Sequence, residues 1–213
     1  MELHTYQEVV RVPNFNRKCI VLLGAHGVGR RHIKSTLIDQ YSQNFAYPIP
    51  HTSRPPRPEE VPGQHFNFLP HEQMQMEINQ NKYLEFGSHD GHLYGTRMNS
   101  IREIIASGKM PVLDIEPSSL KMLTNGPEFA PLIIFVAAPL QLNPQLHAEY
   151  TAITDEHTLY RLQEQSDELY RKYRHVFDKI IINDNPTDSF NQVLDLIRNS
   201  TDSAQWVPHS WVY

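Results

Sequence analysis

The sequence is short of several things, and each shortage excludes a class of protein. Its 213 residues contain a single cysteine, Cys19, so neither an internal disulfide nor a cysteine-rich zinc cluster can form. A reducing, cytoplasmic setting fits that usage. The longest apolar runs, such as 131–139, fall far below the roughly twenty residues that cross a bilayer. No membrane insertion is expected, and residues 1–11 lack the apolar core of a signal peptide. Positive charge is scarce too: 19 Lys and Arg stand against 24 Asp and Glu, a formal net charge of −5. No global basic field recruits nucleic acid, so any anion site must be local. The twelve histidines are scattered and lack acidic or thiol neighbours at ligand spacing. Of these, His89-Asp90-Gly91-His92 reads as a turn, so no metal and no cofactor are expected.

What is present is an alternation of apolar runs and amphipathic stretches. Residues 18–24 (KCIVLLG) form a short β-branched run closed by glycine, and 33–41 follow with apolar residues at helical spacing. The pattern returns as strands at 110–115, 132–137 and 179–183. Helices are expected at 118–123, 156–173 and 189–198. Four buried strands alternating with helices predict a parallel α/β sheet covered on both faces. Residues 52–95 break the rhythm. Rich in Pro, His, Gln and Asn, they read as an inserted β-rich lobe around one helix at 72–81. The ends, 6–12 (YQEVVRV) and 205–213 (QWVPHSWVY), are strand-like and apolar. Each needs cover, and pairing 6–12 with 207–213 as a two-stranded ribbon provides it.

Gly24-Ala25-His26-Gly27-Val28-Gly29 lies between an expected strand and an expected helix, the context of a Walker A phosphate loop. The next two positions should hold a lysine for the β/γ-phosphates and a hydroxyl for Mg²⁺. They hold Arg30 and Arg31. Arginine attracts phosphate but does not replace the lysine point charge, and a cation cannot ligate Mg²⁺. Taken alone, the glycines also suit a turn that packs helix on strand. In the inserted lobe, Arg54-Pro55-Pro56-Arg57 sets two planar donors on a proline-stiffened segment, as a phosphate monoester requires. By itself the pair is equally a solvated turn. Glu85, Tyr94 and Thr96 follow downstream. Cys19, inside the first strand, reads as a buried inert thiol.

In order and spacing, Gly24, Gly27, Gly29, Thr52-Ser53-Arg54-Pro55-Pro56-Arg57, Glu85, Tyr94-Gly95-Thr96 and Asp114 resemble the guanylate kinase family over residues 17–200. The two end segments resemble the strands flanking that domain in membrane-associated guanylate kinase (MAGUK) scaffolds. Leu22-Leu-Gly-Ala-His-Gly-Val-Gly-Arg-Arg-His-Ile-Lys34 and Tyr47-Pro-Ile-Pro-His-Thr52 look most like the CASK branch. The resemblance implies a P-loop core, a nucleoside-monophosphate lobe at about 52–96 and a lid at about 139–160. It also implies roles. Arg54, Arg57 and Tyr94 match the holders of the GMP phosphate, and Glu85 the guanine-reading carboxylate. Phe66 stands where that pocket has a tyrosine, and Pro50 where it has a serine. Asp114 matches the Walker B acid, and Glu116 replaces a nearby aspartate. The stretch 137–159 lacks the lid arginines of an active enzyme; Arg161 alone matches one.

The implied function is a catalytically inactive scaffold module with no catalytic residues, binding phosphorylated or acidic peptides in its former GMP site. The alternative is an active or residual guanylate kinase. A third reading is a scaffold for unphosphorylated partners or for a neighbouring Src-homology-3 unit. Residues 1–16 and 201–213 would belong to that combined unit, Met1 marking the start of a fragment. The implied location is cytoplasmic, peripheral to the plasma membrane at cell junctions or synapses.

Overall fold

The computed structural model describes residues 7–142, 151, 153 and 155–213. Its centre is a parallel sheet of five strands: β2 (Cys19–Leu23), β3 (Phe45–Ala46), β8 (Met110–Asp114), β9 (Pro131–Ala137) and β10 (Lys179–Ile182). Their order is β10-β9-β2-β8-β3, every pairing parallel. Four of these were expected. The fifth, β3, is only two residues long and escapes a reading that depends on periodicity.

The central strands are apolar throughout because both faces are covered. Ile20 and Leu22 point into one core with Ile33 and Leu37 of α1 (Arg30–Gln40) and Val193 and Ile197 of α6 (Pro186–Asp202). Cys19, Val21 and Leu23 point into the other, against α3 (Met98–Ala106) and α4 (Leu120–Thr124). Cys19 is fully buried, and burial pushes its thiol up to about 12, as an inert core residue requires. Helix α6 starts three residues before the expected 189. Asn185 caps it, accepting from the N–H groups of Thr187 and Asp188, and Pro186 takes the first position. Helix α5 (Glu156–Tyr173) matches the expected span, with Asp155 as its N-cap.

The inserted lobe is a four-stranded sheet of order β5-β4-β7-β6, comprising β4 (His51–Thr52), β5 (Asn67–Phe68), β6 (Tyr83–His89) and β7 (His92–Arg97). Helix α2 (His71–Asn79) packs on it through Met74 and Ile78. The β6–β7 hairpin turns at Asp90 and Gly91, both at positive φ (48° and 75°). This is the turn expected of the His89–His92 segment.

The ribbon forms, but shorter than expected. Strand β1 (Val9–Val12) runs antiparallel to β11 (Gln205–Pro208), pairing Val9 with Pro208 and Val12 with Gln205. Beyond Pro208 the chain turns into a short 3₁₀ helix, His209–Trp211, so the last five residues are not a strand. Tyr6 lies outside the described residues. Val207 and Trp211 are buried, while Trp206 remains 64% exposed and Val212 is also exposed. Only half of the tail's large apolar groups therefore find cover here. Arg17 clamps the ribbon to the core. It is 5% exposed and donates from Nε to Gln205 (2.8 Å), from Nη1 to the Pro131 carbonyl (2.5 Å) and from Nη2 to Asp178 (2.7 Å). Its guanidinium also lies over the rings of Phe15 and Trp211.

Candidate functional site: a phosphate loop and a former nucleotide pocket

The glycine loop joins β2 to α1 as the sequence implies. Gly24 sits at φ +150°, where a side chain would run into the Val136 carbonyl of β9, so only glycine fits. The loop is held by the protein's own groups: Asn183, at the end of β10, donates from Nδ2 to the Val28 carbonyl at 2.8 Å. Arg30 does not reach outward for phosphate. It is 7% exposed, lies 3.1 Å from an Asp114 carboxylate oxygen and donates to the Ile115 carbonyl at 3.1 Å. Lys34, one turn along α1, approaches the other Asp114 oxygen at 3.8 Å. The arginine that follows the glycine loop thus neutralises Asp114, with Lys34 beside it. Arg31 is exposed.

The arginine pair is built differently. Buried Thr52 donates to the Leu93 carbonyl, and Ser53 pairs with Leu93 through its backbone and its hydroxyl. These bonds fix the strand end from which Arg54 projects. Its guanidinium stacks over Phe66 (5.1 Å) and Phe68 (5.7 Å) and grips Glu60 with two nitrogens at 2.6 and 2.5 Å. Glu60 also accepts from the Arg57 backbone N–H at 2.8 Å. Arg57 itself is exposed, and Phe66 meets Tyr94 edge-on at 6.0 Å. Sequence reasoning missed Glu60. The available signal was an acid three residues past Arg57 at the end of a proline-rich turn, where it can reach back to both arginines.

The Arg54 fork, followed by the Arg57 N–H, holds the Glu60 carboxyl down to about 2. Its pairing therefore stabilises the fold fully above the ordinary carboxylate range, and that contribution is lost progressively as the pH falls from there through about 2. Carboxyl-carbon NMR should find that midpoint, and Arg54→Ala should move it up toward the ordinary glutamate value of about 4.3, with the Arg57 N–H still holding it somewhat below. A wild-type midpoint already near 4 would dissolve the fork.

Beside the arginines, a cavity of about 610 Å³ is lined by Pro50, Glu85, Tyr94, Thr96, Glu116 and Ser119, among others. Burial raises the Glu85 carboxyl above its ordinary value, and the Asp114 and Glu116 charges add to that rise. The Glu116 N–H, 3.4 Å away, opposes it. Of the residues singled out from sequence, Glu85, Tyr94, Thr96 and Glu116 thus meet at one cavity, with Arg54 and Phe66 at its Tyr94 end. Asp114 turns to Arg30 instead. Of the lid, residues 143–150, 152 and 154 lie outside the described residues; Arg161 is exposed on α5.

The family model described as guanylate kinase matches residues 16–200. The chain belongs to the guanylate kinase family. Protein lin-2 of Caenorhabditis elegans is 45% identical over the whole of this chain, which covers 21% of that protein. Protein PALS2 of Homo sapiens is 39% identical, with 40% of it covered. MAGUK p55 subfamily member 2 of Rattus norvegicus is also 39% identical, again with 40% covered. The chain therefore spans between a fifth and two-fifths of these relatives' length.

Two solved structures share the guanylate kinase fold. The guanylate kinase of Anaplasma phagocytophilum aligns at TM-score 0.54 and 14% identity, covering 90% of this chain and 89% of that one. The SH3-kinase fragment of tight junction protein 3 aligns at 0.54 and 16%, covering 96% and 66%. At such identities the likeness concerns the fold alone. Within this guanylate kinase fold, Arg54 pairs with Glu60 beside the lobe cavity, while Arg30 of the glycine loop pairs with Asp114.

Proposed function

We propose that this chain is a catalytically inactive guanylate kinase-like module of a MAGUK scaffold, on the CASK side of that group. It binds phosphorylated or acidic peptide segments through its former GMP site. The observation that carries the reading is where each arginine sits. Arg30 is buried against Asp114 inside the glycine loop, whereas Arg54, stacked on Phe66 and Phe68 and paired with Glu60, lies with exposed Arg57 beside Tyr94 at an open cavity, where a phosphate can take the place of the Glu60 carboxylate. Phosphoryl transfer depends on positioned cations and a metal ligand, and the loop supplies neither. A phosphate monoester needs only planar donors.

On this reading the domain spans 17–200, with lobe and lid near 52–96 and 139–160, and residues 1–16 and 201–213 complete a neighbouring Src-homology-3 unit. The module works in the cytoplasm, peripheral to the plasma membrane at junctions or synapses. The rat relative's name and the SH3-kinase fragment's fold support that context. A second reading, binding of the neighbouring unit itself or of unphosphorylated partners, is favoured by the outer face of the ribbon. There Val9 and Trp206 stay exposed.

The test compares GMP, ATP with Mg²⁺, and a phosphoserine peptide library against its unphosphorylated counterpart. Expected are negligible GMP phosphorylation and tighter binding of the phosphorylated forms. A turnover near 1 s⁻¹, the low end of ordinary enzymes, would overturn the inactive reading. Equal affinity for both peptide forms would transfer the function to the second reading.

A further inference from the structure

Besides the cavity at Tyr94 and Thr96, the lobe borders two others. Pro50, Tyr94 and Thr96 line the former GMP cavity; their neighbours His51 and Arg97 line another, of about 410 Å³, with Asn67, Asn99, Ser100 and Glu103. A third cavity of about 550 Å³ shares Arg97 and Asn99 with it and adds Lys82 and Arg102. Lys82, Arg97 and Arg102 therefore border a groove made of two adjoining cavities, Arg97 being paired with Glu77 and Arg102 with Glu128.

At its centre is the start of α3, a nine-residue helix. No side chain caps it, and its first turn carries no acidic residue. Met98 N–H is taken by the Lys82 carbonyl; the N–H groups of Asn99 and Ser100 have no acceptor within the helix. An uncapped helix start favours an anion but is common. The independent observation is His51. It is 4% exposed, and its Nδ1 is enclosed with no hydrogen-bond partner, a costly state that a ligand atom would relieve. The ring packs edge-on to Tyr83 at 6.0 Å. Burial and the adjacent Arg97 charge hold the imidazole neutral, lowering it to about 4 against the opposing pull of Glu77. Nδ1 can then carry its hydrogen and donate. Arg97 keeps its charge here while bonding Glu77 through Nε and Nη2.

We infer that this groove is a second anion site, taking a phosphate group, free or as a monoester, between His51 Nδ1, Arg97 and the first turn of α3. It is independent of the reading given to the former GMP site. Several acids oppose it. Glu77 holds Arg97 and Glu128 holds Arg102, and Glu103, which accepts from the Asn99 amide at 2.6 Å, adds a further negative charge at the groove's edge; together they set the affinity low, and Glu103 marks where it can be raised.

The test is an NMR titration of the ¹⁵N-labelled chain with inorganic phosphate at constant ionic strength. It reads the Asn99 and Ser100 amides and the His51 ring nitrogens. Saturable shifts are expected at all three. Asn99→Asp, which adds a competing charge to the helix start, should weaken binding about tenfold. Glu103→Gln should strengthen it severalfold, a gain that no misfolded variant would give. Arg54→Ala should leave it unchanged. Repeating the titration with O-phosphoserine assigns the source: tighter binding than phosphate supports a monoester, weaker binding supports the free anion. Shifts confined to the Arg54 side, shifts that never saturate, or affinity indifferent to both variants would overturn the site.

Discussion

Replacing Arg17 with alanine is expected to lower the unfolding free energy by about 2–3 kcal/mol, less than a fully buried ion pair would lose, because Arg17 is buried but Asp178 keeps part of its side chain in water. Three acceptors lose their donor at once: the Gln205 amide, the Pro131 carbonyl and the Asp178 carboxylate. Of these, Asp178 decides the size of the effect. Burial already raises its carboxyl above the ordinary value, and Arg17 and the Ile133 N–H pull it back. Without Arg17 the carboxylate is left charged with one backbone donor. An acid whose folded pKa is raised contributes stability below its unfolded pKa and loses that contribution as the pH rises through the folded one. The deficit of Arg17→Ala should therefore be largest near neutrality and shrink as the pH falls toward the ordinary aspartate value. Urea unfolding at several pH values measures it. A loss below about 1 kcal/mol, or one independent of pH, would remove Arg17 from this role. Arg17→Lys should rescue only part, since a point charge cannot address three acceptors in one plane.

Arg54→Ala should weaken phosphopeptide binding about ten- to a hundredfold, because a hydrogen bond to a charged group contributes roughly 1.5–3 kcal/mol. The stacking on Phe66 and Phe68 keeps the fork oriented, but the phosphate must displace Glu60 from it, which sets the effect toward the lower end of that range. Phe66→Tyr, restoring a hydroxyl beside Arg54, should tighten binding by a smaller amount, on the order of 1 kcal/mol. Both effects should vanish with the unphosphorylated peptide and shrink as salt rises. Calorimetric titration of the two variants against the matched peptide pair measures them, once each shows a wild-type melting transition. An Arg54→Ala affinity within twofold of wild type would exclude the fork from recognition.

The parallel core was legible because β2, β8 and β9 are buried on both faces and are therefore apolar without interruption. Strands β3, β4 and β5, two residues each, carry no period to read; their existence follows from the neighbours that pair with them. At the site, the resemblance to guanylate kinases pointed to Arg54, Glu85 and Tyr94. What it could not give is which acid meets which cation. Arg30 faces Asp114, 84 positions away in sequence, while Arg54 faces Glu60, six positions away. Only the folded backbone decides between those acids. The tail shows the same limit. Alternation implied a strand through residue 213, yet Pro208 and the stacking of Tyr213 on His209 end it early.

The clamp at Arg17 and the four pairs of the ribbon also determine how the protein carries a mechanical load. Strands β1 and β11 are antiparallel and leave the ribbon side by side at the Val9–Pro208 end. Tension applied through them would peel the pairs open one at a time, a low-force geometry, rather than shear them together. The ribbon would yield first, Arg17 would arrest the tear at Gln205, and the central sheet and the inserted lobe would stay slack behind it.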